Sequence, residues 1–108
     1  MPRPKAHPSP HKSKWLTSFR CLDGEVVTST GFGRTLQVSE SAAVLESPDA
    51  FPAGQLLDLE FLLDDNQLAS ARARVTRITK GKGLFRVNVE FEKLPAKTRR
   101  LLLRQGAA

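Results

Sequence analysis

The sequence predicts a mainly β protein: about six short antiparallel strands that close into a barrel, followed by one short C-terminal helix. Two observations predict this fold. Apolar and polar residues alternate in several successive short stretches, and residues typical of tight turns separate those stretches. Closing the strands into a barrel removes most of the exposed edges that an open sheet would leave.

A chain of 108 residues has room for one small domain and a tail. No apolar run approaches the ~18 residues that a membrane span needs, and residues 1–14 lack the apolar centre of a signal peptide. We therefore expect a cytoplasmic protein. The single cysteine, Cys21, has no partner for a disulfide or a metal site, and we expect it to lie half-buried on a strand.

The first 14 residues, MPRPKAHPSPHKSK, are rich in proline and contain almost no apolar side chains to bury. Such a segment gains too little from burial to offset the entropy lost on ordering. We therefore expect a flexible basic tail at residues 1–14 and a folded barrel domain at residues 15–105.

Turn residues divide the first half of the domain. Asp23-Gly24 predicts a hairpin turn between a strand that contains Phe19 and a strand that begins near Val26. Gly31 and Gly33 predict a loop or a bulge before the next strand.

The stretch TLQVSESAAVLES, residues 35–47, begins with an alternating run, breaks at Ser-Glu-Ser and then resumes. A strand of period two places Leu36 and Val38 in the core and leaves a polar face towards solvent. That polar face consists of Thr35, Gln37 and Ser39. By chemistry alone the break is a polar turn, and a ligand site is the alternative.

Alternation is clearest in the second half of the domain, where three strands each place every second residue in the core. The predicted core residues are Leu57, Leu59, Phe61, Leu63, Ala71, Ala73, Val75, Phe85, Val87, Val89 and Phe91. Pro95 opens a predicted helix over residues 96–105, with Leu101 and Leu102 towards the barrel. A helix of about ten residues is marginal alone and must dock.

Charge is segregated along the chain, although the net charge is only +6. Residues 23–69 carry nine acidic residues and one basic residue, whereas residues 70–108 carry eleven basic residues and two acidic ones. A basic surface attracts anionic partners, and the alternative is an ordinary solvated face. The candidate partner surface is Arg72, Arg74 and Arg86 on the strands with Lys97, Arg100 and Arg104 on the helix.

The sequence offers no constellation for catalysis or metal binding. Both histidines lie in the tail, Cys21 has no nearby base, and the acidic pairs lie in turns or on exposed strand faces. We therefore expect neither enzyme activity nor a metal or other resident cofactor.

From Gly33 onward, the order of features resembles a PilZ domain, the six-stranded barrel of bacterial cyclic di-GMP signalling. The matching segments are GRTLQVSESAAVLES, FPAGQLLDLEFLL, ASARARVTRI, GLFRVNVEFEKLP and the helix AKTRRLLLR. The resemblance implies a six-stranded antiparallel PilZ-like β-barrel and a site for cyclic di-GMP. In that family the ligand is held by Arg-x-x-x-Arg before the first strand and by Asp/Asn-x-Ser-x-x-Gly after the second.

The second motif falls on Gln37-Val38-Ser39-Glu40-Ser41-Ala42. Ser39 matches the motif, and Gln37 keeps an amide on a side chain one methylene longer than asparagine. Ala42 replaces the glycine, which costs about 1 kcal/mol only if the backbone there needs a positive φ.

The first motif is absent, because no Arg-x-x-x-Arg precedes Phe19. Lysines in its place can neutralise a phosphate but cannot form the bidentate, stacked contacts of a guanidinium. Trp15 could stack in place of the missing arginine or, as a packing residue, seal the mouth of the barrel. The resemblance therefore implies these candidate ligand-binding residues: Lys12, Lys14, Trp15, Gln37, Ser39 and Ala42.

The resemblance predicts a regulatory module with a degenerate nucleotide site and leaves two functions open. The chain binds cyclic di-GMP weakly, or it acts as an adaptor that docks to a protein in motility, pilus or biofilm control. A third alternative is a small basic barrel that binds nucleic acid. Single-strand binders stack bases on exposed aromatic side chains, but Phe61, Phe85 and Phe91 lie on the core side of their strands. Trp15, Phe19 and Phe32 remain as possible platforms for stacking.

Overall fold

The structure, a computed structural model, describes residues 11–12 and 14–105. This part of the chain forms seven strands and one helix: β1 (His11–Lys12), β2 (Leu16–Asp23), β3 (Val26–Val38), β4 (Ala42–Ser47), β5 (Leu56–Leu62), β6 (Leu68–Lys80), β7 (Phe85–Lys93) and α1 (Ala96–Arg104). All strand pairings are antiparallel.

Six of the strands close into a barrel. Their order is β3-β2-β5-β6-β7-β4, and β4 pairs with β3 to complete the ring. β1 pairs with Gln37 and Val38, the last two residues of β3. The first residue of β2 lies opposite Arg34, so β1 and β2 pair with different parts of β3. The predicted six-stranded antiparallel barrel with a short C-terminal helix is therefore confirmed.

The barrel encloses one core. Leu57 and Val87 lie on strands that are not neighbours, yet both have an exposed fraction of 0% and belong to the same apolar cluster. Alternation along β5, β6 and β7 accounts for this arrangement, because every second side chain points inward and those side chains are the apolar ones. Cys21 is buried rather than half-buried as predicted.

The helix α1 docks on the core through Leu101 and Leu102, as predicted from its apolar face. The Thr98 hydroxyl fixes this position by donating a hydrogen bond of 2.6 Å to the carbonyl oxygen of Ser70 on β6. In the described part of the chain, no helix is both long enough and apolar enough to span a membrane.

The loop or bulge predicted at Gly31 and Gly33 is wrong, because β3 runs through both residues. A Cβ added at Gly31 would lie 2.5 Å from the Phe19 ring, and one at Gly33 would overlap the carbonyl oxygen of Glu46. These glycines therefore mark places where β3 packs closely on its neighbours rather than places where the strand ends.

The predicted solvent exposure of Thr35 is also wrong. The pairing of β3 with β4 shifts register between Thr35 and Gln37, so Leu36 is an extra residue in β3. The bulge moves the alternation by one residue, and Thr35 turns inward together with Val38, both with an exposed fraction of 0%. Leu36 is only half-buried, whereas Gln37 is exposed as predicted.

Candidate functional site

The turn between β3 and β4 contains the Ser-Glu-Ser break, and Ser39 organises it. The Ser39 Oγ accepts hydrogen bonds from the backbone N–H groups of Ser41 and Ala42, at 3.4 and 3.2 Å, and its O–H donates to the Ala42 carbonyl at 3.3 Å. The Ser41 carbonyl in turn accepts the N–H of Phe91 on β7 at 2.9 Å. The serine hydroxyl therefore shapes the turn from within.

The alanine in the glycine position of the turn adopts an ordinary backbone conformation. Within the described ranges, Asn66 is the only non-glycine residue with a positive φ. Ala42 therefore needs no conformation that glycine alone adopts easily, and its replacement of glycine brings no backbone strain at this position.

The short strand β1 brings the end of the predicted tail to this turn. His11 lies opposite Val38, and Lys12 lies opposite Gln37. Lys14 is exposed in the connection that leads from β1 into the barrel. The remaining tail positions, residues 1–10 and 13, lie outside the described residues. Lys12 and Lys14 thus flank the strand end that carries Gln37 and Ser39.

Trp15 lies in the core, as expected for a packing residue and not for a residue that stacks on a ligand. Its exposed fraction is 3%, and its ring centroid lies 6.5 Å from that of Phe61. Its backbone N–H donates to the Thr35 Oγ1 at 3.0 Å, and its carbonyl accepts the Thr35 N–H at 3.0 Å. Thr35, which was expected to face solvent, therefore anchors the segment that follows Lys14.

Two arginines of the predicted partner surface, Arg72 and Arg74, form ion pairs with acidic residues of the same chain. Arg72 donates two hydrogen bonds to Asp58, at 2.8 and 3.2 Å, and these bonds raise the pKa of its guanidinium. Arg74 binds the Glu92 carboxylate and donates to the Gly54 carbonyl at 2.8 Å. The hydrogen bond from Arg74 lowers the pKa of Glu92 below its ordinary 4.5. These arginines already have anionic partners.

The other predicted partner residues separate into two places. Arg86 lies opposite Glu46 on β4 and Thr79 near the far end of β6, whereas α1 packs beside Ser70 near the start of β6. Lys97, Arg100 and Arg104 are exposed on α1, and none of them forms an ion pair within the described residues. The six basic residues therefore do not form one surface, but the helix retains a basic face of its own.

Two of the three aromatic residues that could stack on bases are buried. Trp15 and Phe19 each have an exposed fraction of 3%, and Phe32 alone of the three is exposed, at 65%. A single exposed ring does not make the series of stacking platforms that single-stranded nucleic acid uses. No described feature favours the nucleic-acid alternative.

The family follows from comparison of the sequence with family models. The model of the PilZ domain matches residues 18–105, from the third residue of β2 to the residue that follows α1. The chain belongs to the PilZ domain family. PilZ domains are regulatory binding modules, and this domain has the six-stranded barrel implied by the resemblance.

Solved structures share the fold of this PilZ domain. The Bacillus subtilis inhibitor of motility MotI/DgrA has a TM-score of 0.66 at 15% identity, over 89% of this chain and 49% of its own, so this chain spans about half its length. The PilZ domain of CeSA from a cellulose-synthesizing bacterium has a TM-score of 0.63 at 16% identity, over 90% and 93% of the two chains. No curated protein matches the chain by sequence.

The role of Ser39 in the turn leads to a stability prediction. Ser39→Ala removes the side-chain hydrogen bonds of the turn and leaves the backbone bond from the Ser39 N–H to the Ala42 carbonyl, at 2.8 Å. It is expected to lower the free energy of unfolding by about 1 kcal/mol. Urea unfolding followed by far-ultraviolet circular dichroism measures this change. The control is Ser29→Ala on β3, an exposed residue, which is expected to change stability by less than about 0.5 kcal/mol. Equal stability of Ser39→Ala and the wild type would contradict the described turn.

Proposed function

We propose that this PilZ domain is a non-enzymatic, cytoplasmic regulatory module of bacterial cyclic di-GMP signalling that binds the dinucleotide weakly. One observation carries the proposal. β1 places Lys12 directly opposite Gln37, two residues before Ser39, so the chain's counterparts of the two ligand motifs adjoin each other. The binding site lies on the outside of the barrel, where the tail meets the turn between β3 and β4.

Each residue of the site has a role suited to its chemistry. The ammonium groups of Lys12 and Lys14 attract the phosphates, and the exposed Gln37 amide can both donate to and accept from a guanine edge. Ser39 holds the turn that follows. Because a lysine offers a point charge instead of a planar fork, binding is weak and sensitive to salt.

Binding acts on the fold through β1. A ligand that contacts both Lys12 and Gln37 stabilises the pairing of β1 with β3. Trp15 follows closely in sequence and is tied by two hydrogen bonds to Thr35 on the same strand, so its surroundings respond to that pairing. The regulated feature is therefore the pairing of the end of the tail with the end of β3.

A titration with cyclic di-GMP at near-physiological salt tests the proposal. The chain has one tryptophan and no tyrosine, so its fluorescence reports on Trp15 alone, and calorimetry gives the affinity independently. We expect saturable binding that Lys12→Ala and Lys14→Ala each weaken roughly ten-fold, because each removes one charge-assisted contact.

The matched control for this titration is Lys82→Ala. Lys82 is an exposed lysine in the turn between β6 and β7, away from β1, and its loss is expected to leave the affinity unchanged. Absence of saturable binding by the wild-type chain would contradict the proposal. If Lys82→Ala weakened binding as much as Lys12→Ala and Lys14→Ala, the binding would be non-specific attraction between charges.

A second candidate function is docking to an acidic protein in motility, pilus or biofilm control. The exposed face of α1 supports it, because Lys97, Arg100 and Arg104 follow at helical spacing and the first turn contains no acidic residue. A polyglutamate peptide serves as the probe. We expect salt-sensitive binding that the triple alanine variant of these residues abolishes and that Lys82→Ala retains; loss in both variants would contradict a specific surface.

A further inference from the structure

The outer surface of the barrel carries a band of large apolar side chains. Outward positions on the strands of a small barrel usually carry polar residues. Several strand residues depart from this pattern, and four of them lie close together, with exposed fractions of 46% for Leu16, 65% for Phe32, 37% for Leu62 and 56% for Leu68. We refer to these four residues as the apolar band.

The apolar band is continuous across four neighbouring strands. Leu62 on β5 is the direct partner of Leu68 on β6. Thr17 on β2 pairs with Phe61 on β5, so the next residues along the two strands, Leu16 and Leu62, are neighbours. Phe32 on β3 lies opposite Ser18, two residues from Leu16 and on the same face. Contiguous exposed apolar patches of this kind mark interaction surfaces.

A shallow depression extends the band at its β3 end. It has a volume of about 240 Å³ and is lined by Leu16, Phe32, Pro48 and Leu84 together with Arg34 and Glu46. The exposed ring of Phe32 lies at the edge of this depression, so one surface has both a projection and a space that can receive a projection. Such a surface fits a second copy of itself under two-fold symmetry.

The charges at this end of the band are complementary to each other but unpaired. Arg34 on β3 lies opposite Glu46 on β4, yet the ion pairs found among the described residues involve only Arg72 and Arg74. Glu46 also lies opposite Arg86 on β7, which likewise forms no ion pair among the described residues. This mixed set of charges matches an identical copy, in which Arg34 of each chain meets Glu46 of the other. A strongly charged partner, such as an anionic membrane, would meet one like charge.

We propose that the apolar band is a homodimer interface and that its occupant is a second copy of this chain, related by a two-fold axis. The band of one copy packs on the band of the other, and Arg34 of each copy approaches Glu46 of the other. Burial of the exposed apolar side chains supplies the association energy, and the ion pairs fix the orientation. This interface does not depend on the proposed binding of cyclic di-GMP.

Sedimentation equilibrium of the full chain without nucleotide, from dilute to concentrated solution, tests the interface. We expect a monomer–dimer equilibrium whose dissociation constant rises at least about ten-fold in Phe32→Glu, because the buried ring is lost. The matched control is Val26→Glu. Val26 is also on β3 and also 65% exposed, but it lies outside the band, so the dimer should persist.

A charge exchange tests the orientation of the two copies. Arg34→Glu should weaken the dimer, and the double variant Arg34→Glu with Glu46→Arg should bind more tightly than Arg34→Glu, since the pair is recovered with reversed signs. Restoration is partial, because the new arginine lies opposite Arg86 on β7. Circular dichroism verifies that each variant remains folded. A wild-type chain that stays monomeric when concentrated would overturn the proposal, and so would a Phe32→Glu variant that dimerises normally. Phe32-dependent binding of a monomer to anionic vesicles would assign the band to a membrane instead.

Discussion

Leu57→Ala is expected to remove about 2–5 kcal/mol from the free energy of unfolding. The Leu57 side chain has an exposed fraction of 0% and lies at the centre of the barrel wall formed by β2, β5 and β6. Its cross-strand partners are Cys21 and Ala73, both small, so neither can fill the space that the lost atoms leave. A domain of this size has roughly 5–15 kcal/mol in total, and the loss is therefore a large fraction of its stability.

Urea unfolding followed by far-ultraviolet circular dichroism measures this loss, with Leu103→Ala as the matched control. Leu103 lies on α1 with an exposed fraction of 53%, and its truncation is expected to change stability by less than about 1 kcal/mol. If the two variants lost equal stability, Leu57 would not lie inside a closed core.

Gly33→Ala is expected to cost about 1–3 kcal/mol, the usual penalty for forcing atoms into a packed site. A Cβ at Gly33 would overlap the carbonyl oxygen of Glu46, and it would lie 3.4 Å from the carbonyl carbon of Glu46 and 3.5 Å from the Ser47 Cα. These are backbone atoms of β4, which cannot rotate away as the end of a side chain can. Relief therefore requires β3 and β4 to move apart just ahead of the candidate site.

The matched control for this variant is Gly81→Ala, in the turn between β6 and β7. There the added Cβ would meet one atom, the Leu84 carbonyl oxygen at 3.1 Å, in an exposed turn that can shift slightly. We expect a smaller loss of stability, measured by the same urea unfolding. A Gly33→Ala variant as stable as Gly81→Ala would contradict the close approach of β3 and β4.

The interior of the barrel could be predicted from sequence because side-chain alternation is a local property of a strand. Leu57, Phe61 and Val87 face inward as their positions in alternating runs indicate. The docking of α1 through Leu101 and Leu102 could be predicted for the same kind of reason, since the apolar face of a helix follows from spacing alone.

The departures from prediction arise where the fold depends on contacts between distant segments. Gly31 and Gly33 carry the local signal of a break, but their role is to admit the Phe19 ring and the β4 backbone. The bulge at Leu36 belongs to the pairing of β3 with β4 and leaves no mark in the alternating pattern. β1 forms through backbone pairing in a polar segment, so the sequence gives no apolar signal for it.

The candidate site could be located from sequence only through its turn. The resemblance placed Gln37 and Ser39 at a break, and the structure adds that Ser39 is engaged by its own turn and that Lys12 lies opposite Gln37. The pairing of Arg72 with Asp58 follows from the register of β5 against β6, which the sequence alone does not specify. Strand register therefore decides which charged residues remain free to bind a partner.

The most direct measurement is a nitrogen–proton correlation spectrum of the isotope-labelled chain, recorded during titration with cyclic di-GMP. Our account predicts that the largest shifts occur at the backbone amides of Lys12, Lys14 and Gln37 and at those of residues 39–42, with smaller shifts elsewhere on the barrel. Shifts confined to α1, or no shifts at any nucleotide concentration, would contradict a nucleotide site at the junction of β1 with β3.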